Sequence, residues 1–199
     1  VSQQERDIIM QLTKLNTRLN TLTIFRSFLD DPIVKKLHTL LERCDVSAYC
    51  DFVSALYQET ANFSNYVSQF MMNDENFYVK IRARGIDQSD VIEQCLKEDL
   101  TILEEISSLT SDQVKATLTD WNGKDFLPNW ETAPYNFLDN YSKKLEALPF
   151  SGYGIFAKYH MFTFSNGNIL PARYPDPQNL SQLSGYARER TQVLQNTEV

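Results

Sequence analysis

Glycine and proline are scarce in this chain, six and seven among 199 residues, against usual levels near ~7% and ~5%. So few breakers mean long uninterrupted elements, which points to helix. Cysteine is also sparse. The three present, Cys44, Cys50 and Cys95, cannot all pair internally, so a disulfide scaffold is disfavoured and a reducing, cytoplasmic setting is expected. No stretch approaches the ~18 consecutive apolar residues of a membrane span, and the start lacks the basic, apolar, small-residue order of a signal peptide. Positive charge is in deficit: 19 Lys and Arg face 26 Asp and Glu, a net charge of −7. Nothing sequence-wide therefore draws the chain to phosphate backbones or anionic membranes, and a nucleic-acid partner is not expected. What is present is ordinary globular composition, with 42% apolar and 23% charged residues. The length suits one large or two small domains. The first residue is Val1 rather than Met, from which a fragment or trimmed product is expected.

Apolar periodicity supports a mainly α fold. Ile8, Leu12, Leu15, Leu19 and Leu22 recur at heptad-like spacing, a stripe that serves either one amphipathic helix packed on its own domain or a dimerisation seam, and so a possible homo-oligomer. Asp31-Pro32 marks a helix start, with Asp31 as cap and Pro32 in the first turn; Ile33, Leu37, Leu40 and Leu41 form its buried face. Asp45 or Ser47 opens the next helix, whose apolar positions hold the period from Val46 to Phe70, one helix of about seven turns. Asn73-Asp74 breaks it. Residues 76–84 fit a strand by the alternation of Phe77, Val79, Ile81 and Ala83, or a short helix ended by Gly85 in the left-handed region; the helical surroundings favour the helix. Asp87 or Ser89 caps a further helix through Ile106, and Ser111 caps a short one. Trp121 to Pro134 reads as an irregular packed loop. The helix from the Pro134 region ends at Leu148, with Lys143 and Lys144 complementing its C-terminal dipole.

The character changes after Pro149. An aromatic run from Ile155 to Phe164, then Asn166-Gly167, then Ile169-Leu170, is a strong hairpin signal, because a tight two-residue turn needs positive φ at both positions. Tyr174-Pro175-Asp176-Pro177 is a stiff extended linker, and a last helix from about Tyr186 runs to Val199. The expected organisation is a helical accessory domain over 1–148, an aromatic hairpin segment over 149–174 and a linker with a truncated entry over 175–199.

Reactive constellations are lacking. His38, Cys44 and Cys50 are spaced by six, not by the two to four of structural zinc sites, and Cys95 is remote. His38 and His160 are the only candidate imidazole bases for a cysteine nucleophile. Ser151-Gly152 lacks the context of a nucleophile elbow, and no glycine-rich phosphate loop occurs. Glu93, Glu98, Asp99, Glu104 and Glu105 read as a solvated acidic face that could also dock a basic partner. No catalytic and no metal-ligating residue is assigned.

The most informative stretch is Asp176-Pro177-Gln178-Asn179-Leu180-Ser181-Gln182-Leu183-Ser184-Gly185-Tyr186, continuing through Arg188, Arg190 and Leu194 to Asn196-Thr197-Glu198. It resembles the approach to the nucleotide-binding core in bacterial AAA+ ATPases of the family labelled "domain of unknown function 815". That family has a leucine-x-x-leucine-x-glycine-tyrosine-like entry and a helix ending in asparagine-threonine-x-x-phenylalanine, with a Walker A loop shortly after. Asn73 to Phe77 and Phe156 to Phe164 also look like its N-terminal region. The residue patterns give the expected fold, mainly α with several helices and one small β-hairpin near the C-terminal end, and the resemblance implies that this is an N-terminal domain. It implies Leu183, Gly185 and Tyr186 beside an adenine ring, and ATP and magnesium bound by a C-terminal ATPase domain of the full-length parent. It also implies a protein partner or substrate recruited by this non-catalytic piece. Walker A, Walker B, the sensors and the arginine finger are absent from these 199 residues.

Overall fold

The computed structural model describes residues 3–118, 123–153, 159, 161–165, 167–171 and 187–197. The chain forms two compact units, Val1–Gly154 and Ile155–Val199. The described residues are mainly helical, with a single two-stranded antiparallel hairpin near the C-terminal end.

In the first unit, α1 (Gln3–Leu19) is followed by a 3-10 turn (Arg26–Asp30), α2 (Pro32–Arg43), α3 (Val46–Tyr57) and α4 (Phe63–Asn73). Then come α5 (Phe77–Arg82), α6 (Asp90–Ser107), α7 (Ser111–Lys115), a second 3-10 turn (Lys124–Phe126) and α8 (Phe137–Ser151). Most boundaries are set by short polar side chains that accept the free amides of a first turn. Asp31 accepts from Ile33 and Val34 at 2.9 and 3.0 Å, with Pro32 at the first helical position. Asp45 accepts from Ala48 at 2.8 Å, Asn76 from Val79 at 3.0 Å and Asn136 from Asp139 at 2.8 Å. Residues 76–84 are thus resolved in favour of helix. Gly85, at φ +71°, follows α5 in the left-handed region that a side chain would resist.

The core gathers the inward faces of these helices. Helix α2 packs on α3, α1 on α2 and α6, and α6 on α4 and α8. Leu12, Leu19 and Leu22 are buried within this core, and Ile8 and Leu15 pack against its edge. The leucine stripe is therefore used inside its own domain. Aromatic rings meet edge to face where the layers cross: Phe28 on Phe70 at 4.9 Å, Phe52 on Trp130 at 5.1 Å and Phe25 on Tyr141 at 5.3 Å between centroids.

Several expectations are corrected. The long helix over Val46–Phe70 is two helices, because Asn62 caps a fresh start by accepting from Asn65 at 2.9 Å. The gap is filled by a distant segment. Glu131 donates its amide to the Ala61 carbonyl at 2.8 Å, and Phe63 donates to the Glu131 carbonyl at 2.9 Å. Apolar periodicity continues across the break since both helices bury one face in the same core. The short helix α7 is capped by Thr110, not Ser111, in a reciprocal capping box with Gln113. Helix α8 continues past Leu148 to Ser151. Pro149 sits in its last turn, and Gly152 at φ +68° closes it by donating to the Leu148 carbonyl at 3.0 Å.

The charged residues moved most. Asp99 was expected on a solvated face, yet it is only 2% exposed. Its Oδ2 accepts from the backbone amides of Thr23, Ile24 and Phe25 at 2.9, 2.7 and 3.0 Å. These amides belong to the turn between α1 and the first 3-10 turn, where no ladder partner exists. Burial holds the Asp99 carboxyl above its ordinary value, opposed by the three amides. Lys144 was expected at an open helix end. It lies instead with its ammonium 5.0 Å from the centre of the Tyr141 ring, and Nζ donates to the Met71 carbonyl at 3.4 Å. Buried Lys115 donates to the Leu127 carbonyl at 2.6 Å and to the Asn129 side-chain oxygen. Tyr49, Tyr57 and Trp130 complete that anchoring of the loop, with bonds to Pro128 O at 2.7 Å, Asn129 O at 2.6 Å and, from the indole, Leu109 O at 2.7 Å.

In the second unit, β1 (Phe162–Ser165) pairs antiparallel with β2 (Asn168–Pro171), Ser165 opposite Asn168. Gly167 has φ +79°, as a tight two-residue turn requires; Asn166 lies outside the described residues. Phe164, Ile169 and Leu170 are exposed. Helix α9 spans Ala187–Thr197.

Candidate functional site

Helix α4 supplies the site. Its inner face buries Phe63, Ser64, Val67, Ser68 and Met71. A helix repeats its direction every 3.6 residues, so the opposite face must carry Asn65, Gln69 and Asn73 in one row, four residues apart. All three are exposed. Among the described residues, none of these three side-chain amides makes a hydrogen bond. Beside the row, Tyr66 and Phe70 are half-buried and pack on the core. Together these residues floor a groove of about 630 Å³, walled by Ser27 of the first 3-10 turn, by Glu59 and Thr60 before α4, and by Asp74 and Glu75 after it.

The groove is held in shape from behind. The Tyr66 hydroxyl donates to Asp31 Oδ2 at 2.7 Å while Asp31 Oδ1 caps α2, so one carboxylate ties α4 to α2. Burial, and then the hydrogen bond to Asp31, hold the Tyr66 phenol above its ordinary value. Asp74 is clasped on both oxygens: Ser27 Oγ donates to Oδ1 at 2.7 Å and Asn76 Nδ2 to Oδ2 at 2.9 Å. The same Asn76 amide donates to the buried Tyr141 hydroxyl at 3.3 Å. Burial depresses the Lys144 ammonium on α8 to about 8, against the pull of Asp74 and Glu75. Elements from α2, α4, α5 and α8 therefore converge on the two ends of the groove.

Its electrostatics are one-sided. Glu59, Asp74 and Glu75 line it and, among the described residues, no lysine, arginine or histidine does. Glu59 and Glu75 are exposed and, among the described residues, in no ion pair. The larger groove between α1, α6 and the start of α8, about 780 Å³, contrasts with this. It mixes Lys14 and Arg18 with Glu104 and Glu105, and Arg18 is paired with Glu105. Chemically, the α4 groove can accept and donate hydrogen bonds along a line and can attract cations.

Other candidates are placed as follows. His38 contacts the Asn20 amide at 3.0 Å and Glu42 at 3.4 Å, and no thiol. Cys50 is exposed, Cys44 and Cys95 are half-buried, and all three are free. Among the described residues, no group of His, Cys, Asp or Glu could hold a metal ion, and no helix is long and apolar enough to cross a membrane. Leu183, Gly185 and Tyr186, expected beside an adenine ring, lie outside the described residues, as does His160. The α4 groove was not anticipated. Its one legible signal is the four-residue spacing of Asn65, Gln69 and Asn73; the walls that turn the row into a groove are set by tertiary structure. Comparison with protein-family models, curated proteins and solved structures found no match.

Proposed function

We propose that this chain is the helical, non-catalytic accessory module of an AAA+ ATPase resembling the "domain of unknown function 815" family. In this reading it recruits or positions a protein partner, while ATP and magnesium are bound by a separate C-terminal ATPase domain of the parent. The observation that carries the reading is the run from Asp176 to Thr197, where the Leu183-Ser184-Gly185-Tyr186 entry leads into helix α9 and its Asn196-Thr197 end. The first unit supports the recruiting role. Its polar groups with unusual environments (Asp99, Lys115, Lys144) all make structural bonds, and its unspent hydrogen-bonding capacity sits on an open groove rather than around a nucleophile. In the same reading the module works in the cytoplasm, which its sparse, odd cysteine count supports.

Titration calorimetry with ATP and magnesium tests the reading: the chain by itself is expected to bind neither and to release no phosphate. Tight binding with turnover would overturn it. In the parent polypeptide, a glycine-rich loop ending in Lys-Ser or Lys-Thr is expected shortly after Val199. A second reading, a free-standing helical interaction module, shares the groove. Its dimer form loses the surface it relied on, because the stripe from Ile8 to Leu22 packs into the domain's own core.

A further inference from the structure

We propose that the α4 groove binds an extended basic peptide segment of a partner protein, the Asn65–Gln69–Asn73 row holding its backbone and the flanking carboxylates its cationic side chains. This rests on the recruiting half of the function above and names the chemistry of the partner.

The geometric argument is one of register. Residues four apart on a helix are separated by about 6 Å along the axis. Residues two apart on an extended strand are separated by about 6.6–6.8 Å. A strand laid along α4 therefore meets one amide at every second residue, over two such intervals from Asn65 to Asn73. Each primary amide carries both a carbonyl acceptor and an N–H donor, the complement of one peptide group. Side-chain amides can thus satisfy a strand backbone whatever its sequence, as a neighbouring strand would. The three amides are exposed and uncommitted, whereas the neighbouring Asn62 and Asn76 use theirs as helix caps.

Charge then selects the side chains. Glu59 stands before the row and Asp74 and Glu75 after it; among the described residues no cation lines the groove, and Lys144, which feels Asp74 and Glu75 from α8, directs its ammonium to the Met71 carbonyl and the Tyr141 ring. The C-terminal end of α4 adds its own partial negative charge at the Asn73 end. Tyr66 and Phe70 supply aromatic surface beside the row, which suits the apolar stems and cationic heads of arginine and lysine. An acidic or apolar segment would meet the same amides and gain nothing from the carboxylates. The groove is also pre-shaped. Asp74 is fixed by Ser27 and Asn76, and Tyr66 by Asp31, so little order has to be imposed on binding.

The experiment is fluorescence anisotropy on the whole chain with two labelled ten-residue peptides, one alternating lysine with serine and one alternating glutamate with serine. The lysine peptide is expected to bind and the glutamate peptide not to bind. Gln69→Ala, at an exposed helix position where alanine favours folding, is expected to weaken binding about tenfold, the loss of roughly 1.4 kcal/mol of hydrogen bonding. The pair Glu59→Lys with Glu75→Lys is expected to abolish binding. The pair Glu98→Lys with Asp125→Lys changes net charge equally away from the groove and is expected to leave affinity within about twofold. Circular dichroism confirms folding of each variant. Absence of lysine-peptide binding, an unchanged affinity in Gln69→Ala, or equal losses in the two charge-reversal pairs would each overturn the proposal. ATP turnover by the chain with peptide binding intact would defeat the accessory reading and leave this one standing.

Discussion

Replacing Asp99 with alanine is expected to be the most damaging single change of a polar residue in the first unit. The carboxylate is 2% exposed and its Oδ2 accepts three successive backbone amides, from Thr23, Ile24 and Phe25. Ile24 and Phe25 are themselves buried. Without the carboxylate, two amides remain in the interior with no acceptor and no path to water. Each such orphan costs about 1–3 kcal/mol, so Asp99→Ala should lose about 2–6 kcal/mol. That is a large part of the ~5–15 kcal/mol that holds a typical domain folded. Asp99→Asn should lose less, about 1–2 kcal/mol. Its carbonyl oxygen can stand where Oδ2 stands, but its amide nitrogen cannot accept the second Thr23 bond, which Oδ1 takes at 3.2 Å. The assay is urea denaturation followed by circular dichroism. The midpoint should fall with little change in slope, which separates lost stability from altered compactness. A loss below about 0.5 kcal/mol in Asp99→Ala, the range of an ordinary surface change, would refute the anchoring role. The pH dependence sharpens the test. Burial raises the folded-state pKa of Asp99 above its unfolded value. Between the two values the folded chain holds more protons than the unfolded one, so stability contributed by this group rises as pH falls. Wild type should therefore gain on Asp99→Asn as the pH drops through the folded value toward the ordinary aspartate value. The opposite trend would mean that the three amides outweigh burial.

Lys144 carries the reverse sign for a base: its folded value is about 8 against an ordinary 10.5, so the unfolded chain holds the extra proton between them. Wild-type stability should rise from pH 8 to pH 10 relative to Lys144→Met, by about 1–2 kcal/mol after allowance for partial solvation, as read from paired urea titrations. Lys115→Met should cost about 2–3 kcal/mol by leaving the Leu127 carbonyl without its donor, and it should loosen the loop that seats Trp130, detected as a red shift of indole fluorescence. Asn62→Ala removes the cap on α4 and should lower stability by about 1 kcal/mol, with faster hydrogen exchange at Asn65 as the local signature.

The elements were largely legible in the residues, for reasons visible at particular positions. Asp31-Pro32 could be read as a helix start because a cap and a helix-ready φ act within three residues, and Asp31 does accept from Ile33 and Val34. Asn73-Asp74 ends α4, and Gly85 takes the left-handed conformation that only glycine adopts freely. The hairpin register, Ser165 opposite Asn168, follows from a two-residue turn. The break at Asn62 was not legible, since apolar period is a statement about a face and two helices can share one. The stretch between α3 and α4 is held by the backbone of Glu131, about seventy residues away in the chain, which bonds Ala61 and Phe63. The site was less legible still. The row Asn65, Gln69, Asn73 follows from spacing in any helix, but the groove it floors needs the acidic walls that segments on either side of α4 bring to it.

The amino-acid sequence by itself determined where helices can start and stop, which faces are apolar, and that the fold is mainly α with one hairpin. These follow from interactions within about four residues, and local chemistry decides them wherever the chain finds itself. Tertiary structure alone decided the fate of charge. Asp99 and Glu98 are neighbours on one helix, yet one lies in the core holding three amides and the other in solvent. Lys143 pairs with Asp139 at the surface while Lys144 turns inward to Met71. Whether a charged group is solvated or engaged depends on which backbone groups are orphaned elsewhere, and those become known only when distant segments meet.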